Sequence, residues 1–140
     1  MIVSFHVDGI PATKGSARAV NNKHTGRAML LASASRKNER DQKSWAEAVA
    51  WMCKAAMRGR APLTGPVSVR IDFYLPRPKT VRAPRPIAKR DGDKLLRCTW
   101  DAMTGIAYAD DGQIVEWPGG KHFADACAPG ARITIETINH

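Results

Sequence analysis

The sequence predicts an α+β fold: a single mixed β-sheet with about two helices packed on it, in the order β-α-β-α-β-β. Three observations predict it. Apolar and polar residues alternate in "IVSFHV" and again in "VSVRIDFYL", the period of half-buried strands. Between them Trp45, Ala48, Val49, Met52 and Ala56 recur at helical spacing. Near the end, "QIVEW" and "ARITIETI" read as two further strands, separated by the Gly- and Pro-bearing segment 118–130. At 140 residues, with no repeat and no dividing linker, the chain reads as one domain, 1–140.

The first strand, residues 2–8, ends at Gly9 and Pro11. From Gly9 to about Ser35 runs a long polar segment carrying Lys14, Arg18, Lys23 and Arg27, and a loop of that length in a small domain is usually functional or mobile. A helix follows at about 37–58, with Gly59 as its stop. In the next strand Val67, Val69, Ile71, Phe73 and Leu75 face one way, Ser68, Arg70, Asp72 and Tyr74 the other, and Pro76 closes it. "RPKTVRAPRPIAKR" is too rich in proline to be helix or sheet interior. A second helix fits about 93–104, with Leu96, Trp100 and Met103 inward and Gly105 at its end.

Composition narrows the function. The chain is 44% hydrophobic and 25% charged, as a globular domain is, but 22 Lys and Arg against 13 Asp and Glu leave a net charge of +9. That excess points to a polyanionic partner, nucleic acid before an anionic membrane surface. No segment is apolar and long enough to span a bilayer, and the N-terminus, with Asp8 in its apolar run, is not a signal peptide. Cys53, Cys98 and Cys127 form neither a disulfide framework nor a zinc pattern and read as buried thiols of a reducing cytoplasm. The four histidines show no ligand spacing.

Against this charge, Asp91 with Asp93, and Asp110 with Asp111, stand in two tight pairs. Each pair has an ordinary reading. Asp91 or Asp93 can cap the second helix, and "DDG" can be a turn. Together they point elsewhere. Asp91 and Asp93 open a helix, Asp111 precedes the next strand, and residues 105–110 carry the chain part of the way back. Gathered carboxylates repel one another unless a cation sits among them, and all-oxygen ligation suits Mg²⁺, with Mn²⁺ a possible substitute. Such an ion activates water against a phosphodiester. Just upstream, Arg77, Lys79, Arg82, Arg85, Lys89 and Arg90 make a proline-spaced basic arm able to track a phosphate backbone without reading bases. An arm that attracts the polyanion beside acids that hold the cutting ion is what a nuclease needs.

The string "DGDKLLRCTWDAMTGIAYADDGQIV" resembles the signature of the RusA family of Holliday junction resolvases of bacteria and their phages. Its elements are Asp91-Gly92-Asp93, Asp101-Ala102-Met103, Asp110-Asp111 and Gln113-Ile114-Val115, closest over residues 89–117. "GIPATKGSAR" is similar to the family's first-strand exit and "PGARITIETI" to its last strand. The resemblance implies a homodimeric, Mg²⁺-dependent endonuclease that binds four-way DNA junctions and nicks two strands symmetrically, in recombination and repair. It places the metal carboxylates at Asp91, Asp93 and Asp111, and gives Asp110 an orienting role. The family's helix lysine falls on Arg97, which stays charged where lysine can shed a proton, so Arg97 is assigned to phosphate or transition-state charge. The ordinary reading of Arg97 is an i,i+4 ion pair with Asp93. Lys94 is placed to take over part of the lysine's role.

Three further expectations follow. Pro118-Gly119-Gly120 should bulge or break a strand that the family continues. Lys121, Lys14 and Arg18 are phosphate-contact candidates, each with a solvated charge as its ordinary reading. Asp72 is a candidate to support the site from the strand. Two other functions compete. A non-catalytic DNA-binding protein would use its acids only to cap and turn. A restriction-type nuclease needs an acid, any residue and lysine along a strand, which Glu116-Trp117-Pro118 does not supply.

Overall fold

The computed structural model describes residues 1–13, 19–21, 28–30, 32–87 and 91–139, with residues 19–38 described at the backbone level only. The main sheet has five strands: β1 (Ile2–Asp8), β4 (Val67–Leu75), β5 (Ile114–Glu116), β6 (Gly119–Phe123) and β7 (Gly130–Thr137). Two short strands, β2 (Ala19–Asn21) and β3 (Ala28–Leu30), form a separate antiparallel pair inside the segment expected to be loop. The helices are α1 (Ala32–Met57) and α2 (Gly92–Met103).

In the sheet, β7 lies between β1 and β4 and runs antiparallel to both, while β5 and β6 line the far edge of β4 parallel to it. Parallel neighbours cannot be joined by a hairpin, so the chain leaves β4 and returns to β5 through a crossover that contains α2. The expected mixed sheet with two helices is therefore the architecture found, with three strands after α2 in place of two.

Alternation in β4 does what the pattern predicts. Val67, Val69, Ile71, Phe73 and Leu75 are buried, and they join Ala131, Ile133 and Ile135 of β7 and Val3 and Val7 of β1 on one face of the sheet. The helices cover that face. Full burial of such aliphatic side chains stabilises by roughly 1.5–3 kcal/mol each, which makes this face the main source of cohesion. The inward stripes of the helices differ in detail from expectation. In α1 it is Trp45, Val49, Cys53 and Met57, at a strict spacing of four, while Met52 turns partly outward. In α2 it is Leu95, Cys98, Thr99 and Met103, with Leu96 and Trp100 only partly buried. Thr99 is a buried polar residue, and it accepts a 3.1 Å hydrogen bond from the Trp45 indole, so neither polar atom is left unpaired. Cys53 and Cys98 are buried as expected, but Cys127 is exposed on the loop before β7.

The interruption at Pro118 is real, yet the strand resumes. β5 ends at Glu116, the Pro118 carbonyl accepts from Ile71 N–H (3.1 Å), and β6 then pairs with Ile71–Leu75. Gly119 permits this. It sits at φ +123°, and a Cβ there would fall 1.9 Å from the Ile71 carbonyl oxygen. "GGKHF" has no apolar alternation, so periodicity could not reveal β6.

Candidate active site

Asp91 occupies the N-cap position of α2, and its carbonyl accepts from Leu95 N–H at 3.0 Å. Its carboxylate makes no capping hydrogen bond. The acid is thus not consumed by the orphan amides that would give it a purely structural role. It lies 3.6 Å from Lys94 Nζ, and Asp93 lies 3.7 Å from an Arg97 nitrogen. Both carboxylates are mostly solvent-exposed, at 65% and 68% of the side chain. Exposed ion pairs of this kind hold weakly and are readily exchanged for a stronger partner. The helical spacing thus gives each acid of the first two turns its own base, Lys94 for Asp91 and Arg97 for Asp93, while the i,i+2 spacing does not by itself turn the two acids toward each other. The i,i+4 pair of Asp93 with Arg97 that the sequence allowed is present.

The second acid pair is divided between two tasks. Asp110 caps a one-turn 3₁₀ helix, Asp111–Gln113, and its Oδ1 accepts from Gly112 N–H at 3.2 Å. Gln113 closes the reciprocal half of this capping box: its Oε1 accepts from the backbone amides of Ala109 (2.9 Å) and Asp110 (3.1 Å). Its Nε2 donates to the carbonyls of Leu63 (3.0 Å) and Gly65 (2.9 Å). Gln113 therefore rivets the turn to the loop that leads into β4. Sequence reasoning gave it no role, although Asp at one position and Gln three later is the signature of such a box. Asp111 is left half-buried on the first position of this turn. Burial is the main cause that pushes the Tyr108 hydroxyl upward from its ordinary range, with smaller contributions from Cys53, Asp111 and Asp101. Tyr108 itself is fully buried and donates to the Trp100 carbonyl at 2.8 Å.

The basic arm is folded rather than extended. Arg77 spends four of its five N–H donors on the protein: Nε and one terminal nitrogen hold Asp125 bidentately at 2.9 Å, and the other reaches the carbonyls of Val81 (3.1 Å) and Ala83 (2.7 Å). Its guanidinium also lies 4.0 Å over the Phe123 ring. Arg85 donates to the Lys121 carbonyl (3.0 Å) and contacts His122 Nδ1 (3.2 Å). Lys79 and Arg82 are exposed. Lys14, Arg18, Lys89 and Arg90 lie outside the described residues.

Asp72 lies on the face of β4 turned away from the core. Its Oδ1 is 2.8 Å from His122 Nε2 and its Oδ2 accepts from Arg70 Nε at 3.1 Å. Arginine has no acceptor, so His122 Nδ1 must accept from Arg85 and Nε2–H donates to Asp72. Burial alone raises the Asp72 carboxyl, but the hydrogen bonds and charges of His122 and Arg70 outweigh it and hold the group below the usual carboxylate range. These bonds join Asp72 to β6 and the arm.

The donor chemistry at the start of α2 suits a hard divalent ion, since exposed carboxylate oxygens are what Mg²⁺ takes. A ready-made cage is another matter. Among the described residues, no three His, Cys, Asp or Glu side chains are disposed to hold a metal ion. The expected gathering of Asp91, Asp93 and Asp111 around one ion is therefore not preformed in the single chain. Among the described residues no helix is long and apolar enough to cross a membrane.

Comparison with known proteins places the chain. It is 28% identical over 89 residues to the uncharacterized protein YqaN of Bacillus subtilis (strain 168), a match covering 55% of this chain. The chain spans 61% of the length of that relative. The family model described as Endodeoxyribonuclease RusA matches residues 8–136, which runs from the last residue of β1 through both helices and both acid pairs to nearly the end of β7. With the acid-bearing helix, the capped Asp110-Asp111 turn and the crossover that links them all inside that match, the chain belongs to the RusA endodeoxyribonuclease family.

Proposed function

We propose that this protein is a Mg²⁺-dependent endodeoxyribonuclease that binds four-way DNA junctions as a homodimer and nicks two strands symmetrically, in recombination and repair. The observation that carries this reading is the start of α2, where Asp91, its carboxylate making no capping bond, and Asp93 stand exposed beside Lys94 and Arg97 within a RusA family match.

The residues divide the work as follows. Asp91 and Asp93, with Asp111 as third carboxylate, would hold Mg²⁺ (or Mn²⁺), and such an ion commonly takes one or two protein carboxylates and completes its shell with water and substrate phosphate. When bound it supplies activated water and stabilises charge on the leaving oxygen. Arg97 and Lys94, released from their weak pairings with Asp93 and Asp91, turn their positive charge to the scissile phosphate. Arg97 presents a fork of fixed charge, and Lys94 is the residue able to give a proton to the departing oxygen. Asp110 and Gln113 fix the turn that carries Asp111. Lys79, Arg82, Arg85 and Lys121 favour the polyanion by their charge, and Lys14, Arg18, Lys89 and Arg90 add to the same positive balance.

A second reading has one observation in its favour: Asp91 and Asp93 are each paired with a cation, and no three-acid group is assembled among the described residues. On it the protein binds DNA without cutting. Incubating the purified protein with a synthetic four-way junction and a linear duplex, with Mg²⁺ or with chelator, separates the two. Mg²⁺-dependent nicks placed symmetrically on the junction support the nuclease; tight binding with no nick under either condition supports the binding protein.

A further inference from the structure

The proline- and arginine-rich segment after β4 has the composition of an open tether, but its hydrogen bonds are those of a built loop. Residues 76–87 leave the sheet at Leu75, whose carbonyl accepts from Ala124 N–H at 2.7 Å, so the start of the loop is fastened to the end of β6. A tight turn closes over Pro78–Val81, with Val81 N–H donating to the Pro78 carbonyl at 3.1 Å and Lys79 at the tip. Arg77 fills the inside of the loop. It binds the carbonyls on either side of Arg82, stacks on Phe123 and is itself locked by both oxygens of Asp125. The far end is tied down again where Arg85 meets the Lys121 carbonyl and His122. Four prolines (Pro76, Pro78, Pro84, Pro86) remove further backbone freedom.

Resting on the proposed junction-binding function, we propose that Arg77 and Asp125 are positioning residues: they hold residues 76–87 as a prefolded hairpin that presents Lys79 and Arg82 as a fixed pair of cations to the nucleic-acid phosphate backbone. The charges are sorted by task. Arg77 and Arg85 are engaged in shaping the segment, from within and at its far end, and Lys79 and Arg82 are exposed. Preorganisation matters because a flexible cation must lose rotamer freedom on binding, whereas one mounted on a rigid loop has lost part of it already.

The sign of one substitution separates this role from simple charge. Asp125→Asn removes a negative charge from a DNA-binding protein, and electrostatics alone then predicts tighter binding. If Asp125 positions the loop, Asp125→Asn weakens binding instead.

The test is equilibrium binding of the full chain to a synthetic four-way junction in EDTA, over a salt series. It is paired with amide hydrogen exchange of the DNA-free protein. Asp125→Asn and Arg77→Lys are expected to weaken binding by roughly fivefold or more, since two side chains must then be ordered on contact. In both, the Val81 amide is expected to exchange faster while the β4 amides keep their protection, which shows the fold intact. Lys79→Ala/Arg82→Ala is expected to lower the salt slope by about 1.8, at about 0.9 per phosphate contact. If the wild type binds and Asp125→Asn binds equally or more tightly, the positioning role is overturned while the junction-binding reading stands. If the wild type binds neither junction nor duplex, the reading of the function falls, and this inference with it.

Discussion

The Asp93 carboxylate and the Arg97 guanidinium stand 3.7 Å apart, one helical turn from each other, on the exposed side of α2. The pair has two consequences. It keeps both side chains over the start of the helix, and it is weak enough in water to open when phosphate or a metal ion competes for either partner. Arg97→Ala should therefore leave folding nearly unchanged and lower the single-turnover nicking rate by roughly 10²–10³, the usual cost of removing one donor to developing charge. Arg97→Lys keeps the charge and should retain much more of that rate. Equal loss in both variants would show that the guanidinium fork, rather than charge, is required.

Gln113 makes a structural prediction. Its side-chain amide serves four backbone groups, two in its own turn and two in the loop before β4. Gln113→Ala should lower unfolding stability by about 1–3 kcal/mol, because the Leu63 and Gly65 carbonyls lose their donor. Urea denaturation followed by circular dichroism reads this directly, and nicking should fall as well because the Asp111 turn loosens.

Gly119 is the most intolerant position of the described sheet edge. Any side chain there meets the Ile71 carbonyl, with its Cβ at 1.9 Å, on a backbone of φ +123°. Gly119→Ala should cost roughly 3 kcal/mol or more, since strain of the backbone is added to a displaced strand. Gly65→Ala is the control: it shares a positive φ of +76° but meets nothing within 4 Å, so only the conformational part of the cost remains.

Acid should find Asp72. Its folded carboxyl titrates below its unfolded value, chiefly because hydrogen bonds from His122 and Arg70 outweigh burial. The stability it contributes is fully present above the unfolded value of about 3.9 and is lost as pH falls through the lower folded one. Denaturation midpoints measured from pH 6 down to pH 2 should therefore show wild type and Asp72→Asn converging toward the acid end. A constant gap across that range would contradict the assignment.

Thiol chemistry gives a simple check on packing. Cys53 is pushed up to about 11 by burial, and Cys98 is buried too, whereas Cys127 is exposed. A disulfide reagent at pH 8 should label Cys127 rapidly in the native protein and all three thiols only after unfolding.

How far the sequence reaches depends on what kind of signal each element carries. β4 and α1 were legible because alternation and helical spacing are direct consequences of one-sided burial, and Val67 to Leu75 and Trp45 to Val49 obey them. β6 was not, because its pairing is built on glycine and on backbone contact with Ile71, which leave no apolar period. Arg77 and Lys79 are indistinguishable as charges in sequence. Only the fold brings Asp125 to one of them, 48 residues away. The acid pairs were visible as pairs, and the capping role of Asp110 follows from Gln113 three residues on, yet how Asp91, Asp93 and Asp111 would close on an ion is not written in local pattern. It depends on long-range geometry.

The most direct measurement is the Mg²⁺-dependent cleavage of a synthetic four-way junction by Asp93→Asn beside the wild type, with binding followed in the same samples. A catalytic carboxylate at this position predicts that the variant binds the junction at least as well as wild type, having lost a negative charge, and produces essentially no nicks. Full cleavage by Asp93→Asn would contradict the assignment of the α2 acids to catalysis.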